Sequence, residues 1–466
     1  MQFHFNSDYP GLTAEAVSLG LDVGVAEAKV FASDPREFPP AQPIPCARIT
    51  TRIYRPDRNE VKTVQNVLVR IMPRPQQPSN SIGDNSSMSS DDLSVSSSTS
   101  STTTMSDMYM EEAVDGGPMM SGQSQTPVDE THEYRAYWIQ RTLREAIYGR
   151  VLFATVLRRR SSHHTNDNNA DWEVTSEFCA IKEMSQQLIR KEKDRLAEDP
   201  IKEVSAMQYL KQWHESHNGN STTGGMEASN HSVMDTHIMM PLDLLSDDIN
   251  LYSIMPYCDG GELFERLDTN ERFSEDEARY WMHQLLSGLE SLQRAGICHR
   301  DISLENLLVH QNKALVIDLG MCLRVPLSDK NSSLTNSNAH GSTFVIDGKV
   351  QSRSLLRPQG TCGKWIYMSP EIYSNKEPFD GYAVDLWAAG VILFLMLTGF
   401  PPWECACTTD LRFKYMTGGY LVQMLTEWEL GLSCDAMDLL QRMLFLDPKD
   451  RLSLDQVRAH PWMLTG

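Results

Sequence analysis

Apolar positions in this chain recur with period two in several short runs and at helical spacing in others. Between Ala47 and Met72, β-branched residues stand at alternate places, as at Val67, Val69 and Ile71, which predicts a strand or two. The runs Phe178-Cys179-Ala180-Ile181-Lys182, Leu251-Tyr252-Ser253-Ile254-Met255 and Ala314-Leu315-Val316-Ile317 predict short buried strands. Asp199 followed by Pro200 reads as a helix start, an N-cap side chain and then proline at the first helical position. Ile201, Val204, Met207 and Leu210 continue it as an apolar stripe. A longer apolar helix is predicted from Val391 to Leu397. Residues 78–130 are rich in Ser, Thr, Asp, Met and Gly, with too few aliphatics for a core, so a disordered, phosphorylatable linker is expected there. Three further polar stretches, about 158–170, 214–236 and 328–357, read as inserted loops. No internal repeat is visible.

Chemistry concentrates in His299-Arg300-Asp301-Ile302-Ser303-Leu304-Glu305-Asn306. An Asp and an Asn five positions apart after His-Arg resemble the catalytic loop of protein kinases. Twelve residues after Asn306 stands Asp318-Leu319-Gly320, similar to the family's Asp-Phe-Gly. Lys182 ends a strand that resembles Val-Ala-Ile-Lys, and Glu203 on the helix after Pro200 is the chosen acidic partner. Glu192 and Glu198 compete for that role, but neither is followed by the apolar stripe. Met368-Ser369-Pro370-Glu371 resembles Ala-Pro-Glu, Asp385 opens the apolar helix, and Arg451 resembles the family arginine that pairs with the Glu.

These elements stand in the family's order from about Tyr137 to Trp462. The resemblance implies an α+β, bilobal protein kinase fold. It places a small lobe at about 131–257 and a large lobe at about 258–464, after a linker (78–130) and an N-terminal region (1–77) of unknown role. Strands in that region are expected to dock on the small lobe. The cofactors implied are ATP and Mg2+, with Asn306 and Asp318 holding the metal and Asp301 orienting the acceptor hydroxyl. By the same resemblance Leu143, Val151, Ala180 and Leu308 enclose the adenine, and Met255 stands behind it. Pro256 offers only its carbonyl, which suits a residue without an N–H, while Cys258 offers its N–H. Glu262 is placed to meet the ribose or a basic substrate residue.

The glycine-rich loop is worn. Gly149 matches its last glycine, but the first two positions hold Arg144 and Ala146. Such glycines let backbone N–H groups approach phosphate, so a stiffer loop is expected, with Arg144 either touching phosphate or solvated. A second departure is paired. Ser303 replaces the lysine normal two places after the catalytic Asp, and Lys364 replaces the threonine of the Gly-Thr-x-x-Tyr segment. Either Lys364 reaches back beside Asp301 to restore the lost charge, or two positions drifted independently.

A formal charge of −20 argues against nonspecific binding to nucleic acid or anionic membrane and suits basic protein segments. Nine scattered cysteines fit reduced thiols, hence a cytoplasmic or nuclear protein, and Cys405-Ala406-Cys407 lacks the second pair of a zinc site. No signal peptide is expected, and the apolar helix reads as core rather than as a membrane span. Tyrosine kinases carry arginine at the position of Glu305, so Ser/Thr acceptors are expected, and Glu262 and Glu305 favour basic residues before the acceptor. The segments Gly399-Phe400-Pro401-Pro402-Trp403 and Ala459-His460-Pro461-Trp462 most resemble the calcium/calmodulin-dependent group. Calmodulin control is not expected, because the residues up to Gly466 include no calmodulin-type basic helix after Trp462. Arg300 implies activation-segment phosphorylation. The usual acceptor position falls on Gly360, with Thr361 the nearest hydroxyl and Ser352 and Ser354 farther off. The rival reading is a pseudokinase that acts as a nucleotide-binding or scaffold module. A third makes the N-terminal region the functional module and the kinase its regulator.

Overall fold

A computed structural model describes residues 38–71, 135–160, 170–192, 199–218, 235–325 and 355–465, and the backbone alone in parts of 327–353. The expected linker at 78–130, Ser354 and most of the three polar inserts lie outside the described residues.

Strands β1 (Ile44–Arg55), β2 (Glu60–Arg70), β3 (Arg135–Ala146), β4 (Gly149–Arg159) and β5 (Trp172–Ser185) pair in chain order. The sheet continues to β7 (Asn250–Pro256) and then β6 (Asp243–Ser246), and β6 pairs with β1 through Ile44 and Leu245 to close a barrel. Period-two alternation sorts the faces. Leu152, Ala154, Ile181, Tyr252 and Ile254 point inward and share one buried cluster with Cys46 of β1 and Leu68 of β2. Val151, Ala180, Lys182 and Met255 fall on the other face. The domain start expected at residue 131 is therefore corrected: Ile44–Arg70 supplies two strands of the same sheet. The polar stretch between Ile71 and Arg135 hides that continuity from a reading along the chain.

Helix α1 (Gln186–Glu192) follows β5, and α2 (Pro200–Asn218) follows it. Asp199 Oδ1 accepts from the N–H groups of Ile201 and Lys202 at 2.9 and 3.2 Å, satisfying donors the first turn leaves open. After the barrel come α3 (Leu263–Asn270) and α4 (Glu275–Arg294), then a hairpin of β8 (Leu307–His310) and β9 (Lys313–Val316). Gln311 and Asn312, both at positive φ, form its two-residue turn. The tight hairpin returns the chain beside its start, and the Ile317 N–H donates to the Asn306 carbonyl at 3.0 Å. Asn306 and Asp318 are thereby held at one end of the same hairpin.

Helix α5 (Pro370–Ser374) carries Glu371, and α6 (Gly381–Thr398) is buried along its whole length. Its composition and 18 residues would suit a membrane span, but all of it packs inside the large-lobe core. Arg451 meets Glu371 through two parallel hydrogen bonds of 2.6 and 2.9 Å, and the guanidinium lies 4.5 Å from the Trp387 ring centre.

Candidate active site

The catalytic-loop backbone hangs from one carboxylate. Asp385, near the start of α6, accepts from the N–H groups of His299 and Arg300, both at 2.7 Å. Burial raises its pKa to about 6, opposed by His299 and those two donors. Arg300 sits at φ +67, a conformation these bonds hold in place. His299 Nε2 lies 2.9 Å from the Ile317 carbonyl and ties the loop to the strand that leads to Asp318. Asn306 Nδ2 donates to the Asp301 carbonyl at 2.7 Å and to its Oδ2 at 3.0 Å. Burial raises the Asp301 carboxyl to about 6; Lys364 lowers it and Asp318 raises it. Asp318 adopts φ +67 and accepts the Gly320 N–H at 3.2 Å. The Leu319 side chain is buried in the cluster that includes Met207 of α2.

Lys182 Nζ bonds Glu203 Oε2 at 2.6 Å. Both ends are little exposed, so the pair is charge-assisted rather than a solvated surface contact. Glu192 instead lies at the end of α1 near Lys191, and Glu198 falls outside the described residues. Strand register puts Val151 opposite Lys182, and Ala180 opposite Met255, on one face of the sheet. Pro256 pairs with Cys179, where its missing N–H leaves the ladder intact because the next N–H, from Tyr257, reaches the Phe178 carbonyl at 3.3 Å. Met255, Cys258 and Leu308 pack half-buried against the large-lobe core, and Leu308 bridges to Glu262. Leu143 is half-buried on β3. Burial pushes the Cys258 thiol to about 12, so that residue offers packing and backbone rather than a nucleophile.

At the β3–β4 turn, Gly149 is needed for close packing: a Cβ there would lie 2.2 Å from the Glu183 carbonyl oxygen. The neighbouring Tyr148 is buried with Met184, Ile189 and Val204, and its carbonyl accepts the Ser185 N–H at 2.8 Å. The turn is thus pinned to β5 and α2, a feature the worn motif gave no sign of. Arg144 reaches Glu262 at 3.6 Å across the mouth of the cleft, an ion pair between an exposed arginine and a half-buried glutamate. Glu262 is raised by burial and lowered by Arg144.

Ser303 and Lys364 meet. Lys364 Nζ donates to Ser303 Oγ at 2.7 Å, and its backbone N–H donates to Asp301 Oδ1 at 3.3 Å. The same ammonium lies 3.8 Å from Glu305. Gly363 permits the approach: it sits at φ +86, and a Cβ would come within 2.9 Å of the Arg300 carbonyl. Ser303 is fully buried beneath the lysine.

The donor set fits a magnesium ion. Asn306 spends its amide nitrogen on Asp301, which leaves its oxygen for a hard cation beside the Asp318 carboxylate. Among the described residues no group of three or more His, Cys, Asp or Glu gathers as an all-protein metal cage. Magnesium that bridges phosphates needs only one or two protein oxygens.

The protein kinase domain model matches residues 169–463. That match begins beyond the worn β3–β4 turn and the N-terminal hairpin. A rice protein named serine/threonine-protein kinase SAPK2 (Oryza sativa subsp. japonica) is 32% identical over 242 residues, 51% of this chain and 63% of its own length. The abscisic acid-inducible protein kinase of Triticum aestivum is 31% identical over 239 residues, 51% of this chain and 64% of its own. CBL-interacting protein kinase 26 of Oryza sativa subsp. japonica is 30% identical over 231 residues, 49% and 40% respectively. The chain therefore spans less than two-thirds of each of these relatives. With most of its length matched and the two-lobed architecture in place, the chain belongs to the protein kinase domain family.

Proposed function

We propose that this chain is a protein serine/threonine kinase that transfers the γ-phosphoryl group of Mg-ATP to a protein hydroxyl. The observation that carries the reading is the Lys182–Glu203 bond at 2.6 Å together with Asp301, Asn306 and Asp318 held at one end of one hairpin. Magnesium, when bound, neutralises charge on the phosphates. Lys182 would hold the α- and β-phosphates, Asn306 and Asp318 would offer the metal their side-chain oxygens, and Asp301 would orient the acceptor hydroxyl and take its proton as ADP leaves. Lys364 supplies, from the activation segment, the positive charge that Ser303 lacks. Catalysis then rests on positioning and charge compensation.

A scaffold without chemistry would have no use for this intact set of polar groups. Incubation with Mg-ATP and a basic Ser/Thr peptide should phosphorylate the peptide, and the Asp318→Asn chain should not. Equal, negligible transfer by both would leave only the scaffold reading.

Acceptors in basic segments suit the charge of −20, although Glu262 and Glu305 already face Arg144 and Lys364, so the preference is modest. Control by phosphorylation draws support from Arg300, whose Nη1 is buried without a partner and suits an anion. Gly360 at the usual acceptor position has no hydroxyl, and Thr361, exposed and next to it in sequence, is the acceptor we assign. The nine cysteines are unpaired thiols, which supports a cytoplasmic or nuclear setting.

A further inference from the structure

Hairpin β1–β2 does more than close the barrel. The segment that leads into β1 runs along α2. The Ala41 N–H donates to Ser205 Oγ at 3.2 Å, and the Gln42 N–H donates to Gln208 Oε1 at 2.8 Å. Gln208 Nε2 returns a bond to the Gln42 carbonyl at 3.4 Å. Phe38 meets Tyr209 edge to face, with ring centroids 5.7 Å apart. All three helix residues stand within two turns of Glu203. Tyr209 also donates to the Ala295 carbonyl at 3.2 Å and carries the Arg324 guanidinium 4.9 Å from its ring centre, so it ties α2 to the large lobe.

The hairpin itself is anchored to strands of the active-site sheet. Arg48 of β1 pairs with Glu183, the neighbour of Lys182, and Arg150 reaches the same carboxylate at 2.7 Å. Arg70 of β2 pairs with Asp243 of β6, which also accepts from the buried Tyr137 hydroxyl. Both ends of the Lys182–Glu203 pair are thus connected to one hairpin: the lysine's strand through Arg48, the glutamate's helix through residues 38–42.

Direct packing holds one part of α2 to the barrel, where Val204 is buried with Met184, Leu244 and Leu251. A cavity of about 320 Å³ lies between the hairpin and α2, with Ile44, Arg70, Met207, Lys211 and Ser253 among its walls. Alongside that gap, the contacts at Phe38, Ala41 and Gln42 add to the Val204 packing and to the Lys211 Nζ bond to the Pro241 carbonyl at 3.1 Å in setting the helix's distance from the barrel.

We propose that residues 38–42 are a built-in brace for α2, holding Glu203 against Lys182 from within the same polypeptide. Ser205, Gln208 and Tyr209 are then positioning residues, acting on the chemistry only through Glu203. What the positioning achieves rests on the kinase reading; the positioning itself does not.

The test is hydrogen exchange on the full chain carrying Phe38→Ala, Ser205→Ala and Gln208→Ala, read at α2 amides and at barrel amides, with Mg-ATP kinetics alongside. Exchange in α2 should quicken on the order of tenfold while β3, β4 and β5 keep their protection. The KM for Mg-ATP should rise with it. Ser205→Thr with Gln208→Glu, which keeps both acceptors, should restore protection. Gln208→Ala alone alters a half-exposed side chain, and it should give a smaller change of the same kind if the triple variant folds poorly. Unchanged α2 exchange in either alanine variant overturns the brace. A parent chain that protects α2 yet transfers no phosphate would defeat the kinase reading and leave the brace standing.

Discussion

In the proposed mechanism, Asp301 and Lys364 set the chemistry at the scale of single residues. Burial raises the Asp301 carboxyl to about 6, and the Lys364 charge works against that rise. The group must be ionised to accept a proton, so transfer should fall as pH drops through about 6. Replacing Lys364 by Ala removes a lowering influence, and the acid limb should therefore move to higher pH. A pH–rate profile checks this, and an unmoved limb would separate Lys364 from Asp301. The pairing of Ser303 with Lys364 was readable because both departures fell on positions the family motif defines. Arg144 was not: its contact with Glu262 crosses the cleft, and nothing local to Arg144 points there. Thr361→Ala should lower activity severalfold if Arg300 awaits a phosphate. An unchanged rate in phosphorylated preparations would remove that assignment.

Individual elements show why some of the site could be seen in the sequence and some could not. The cap at Asp199 and the proline after it fix the phase of α2, and with it the place of Glu203, from purely local chemistry. Hairpin β8–β9 likewise carries its geometry in its own turn. The β3–β4 turn is different, because its conformation depends on Tyr148 finding Met184 and Val204, residues distant in the chain. Hairpin β1–β2 is the largest such case. Its alternation announced strands, but only tertiary pairing shows that Leu68 lies inside the barrel. Leu68→Ala should destabilise the whole domain by about 2–5 kcal/mol, as for other buried leucines. Denaturant unfolding would show it, and a loss below about 0.5 kcal/mol, the range of surface substitutions, would return the hairpin to the status of an appendage.

For the molecule as a whole, a closed barrel and a helical core meet at one cleft. The large-lobe frame depends on the Arg451–Glu371 pair, whose guanidinium is almost wholly buried. Glu371→Ala should cost about 3–5 kcal/mol, since it strands a buried charge. Thermal unfolding gives the measurement, and a change typical of exposed ion pairs would contradict the frame's reliance on it. The family, the two lobes and the polar residues of the site were legible because each motif carries its own chemistry. The closed barrel was not, since the polar stretch after Ile71 separates strands that lie side by side.

The most direct measurement compares phosphoryl-transfer rates of the parent, of Lys364→Ala, and of the double exchange Ser303→Lys with Lys364→Thr. Lys364→Ala should slow transfer roughly a hundredfold, as loss of one charge-stabilising group commonly does, and the exchange should recover much of it. A Lys364→Ala enzyme as fast as the parent would contradict the account.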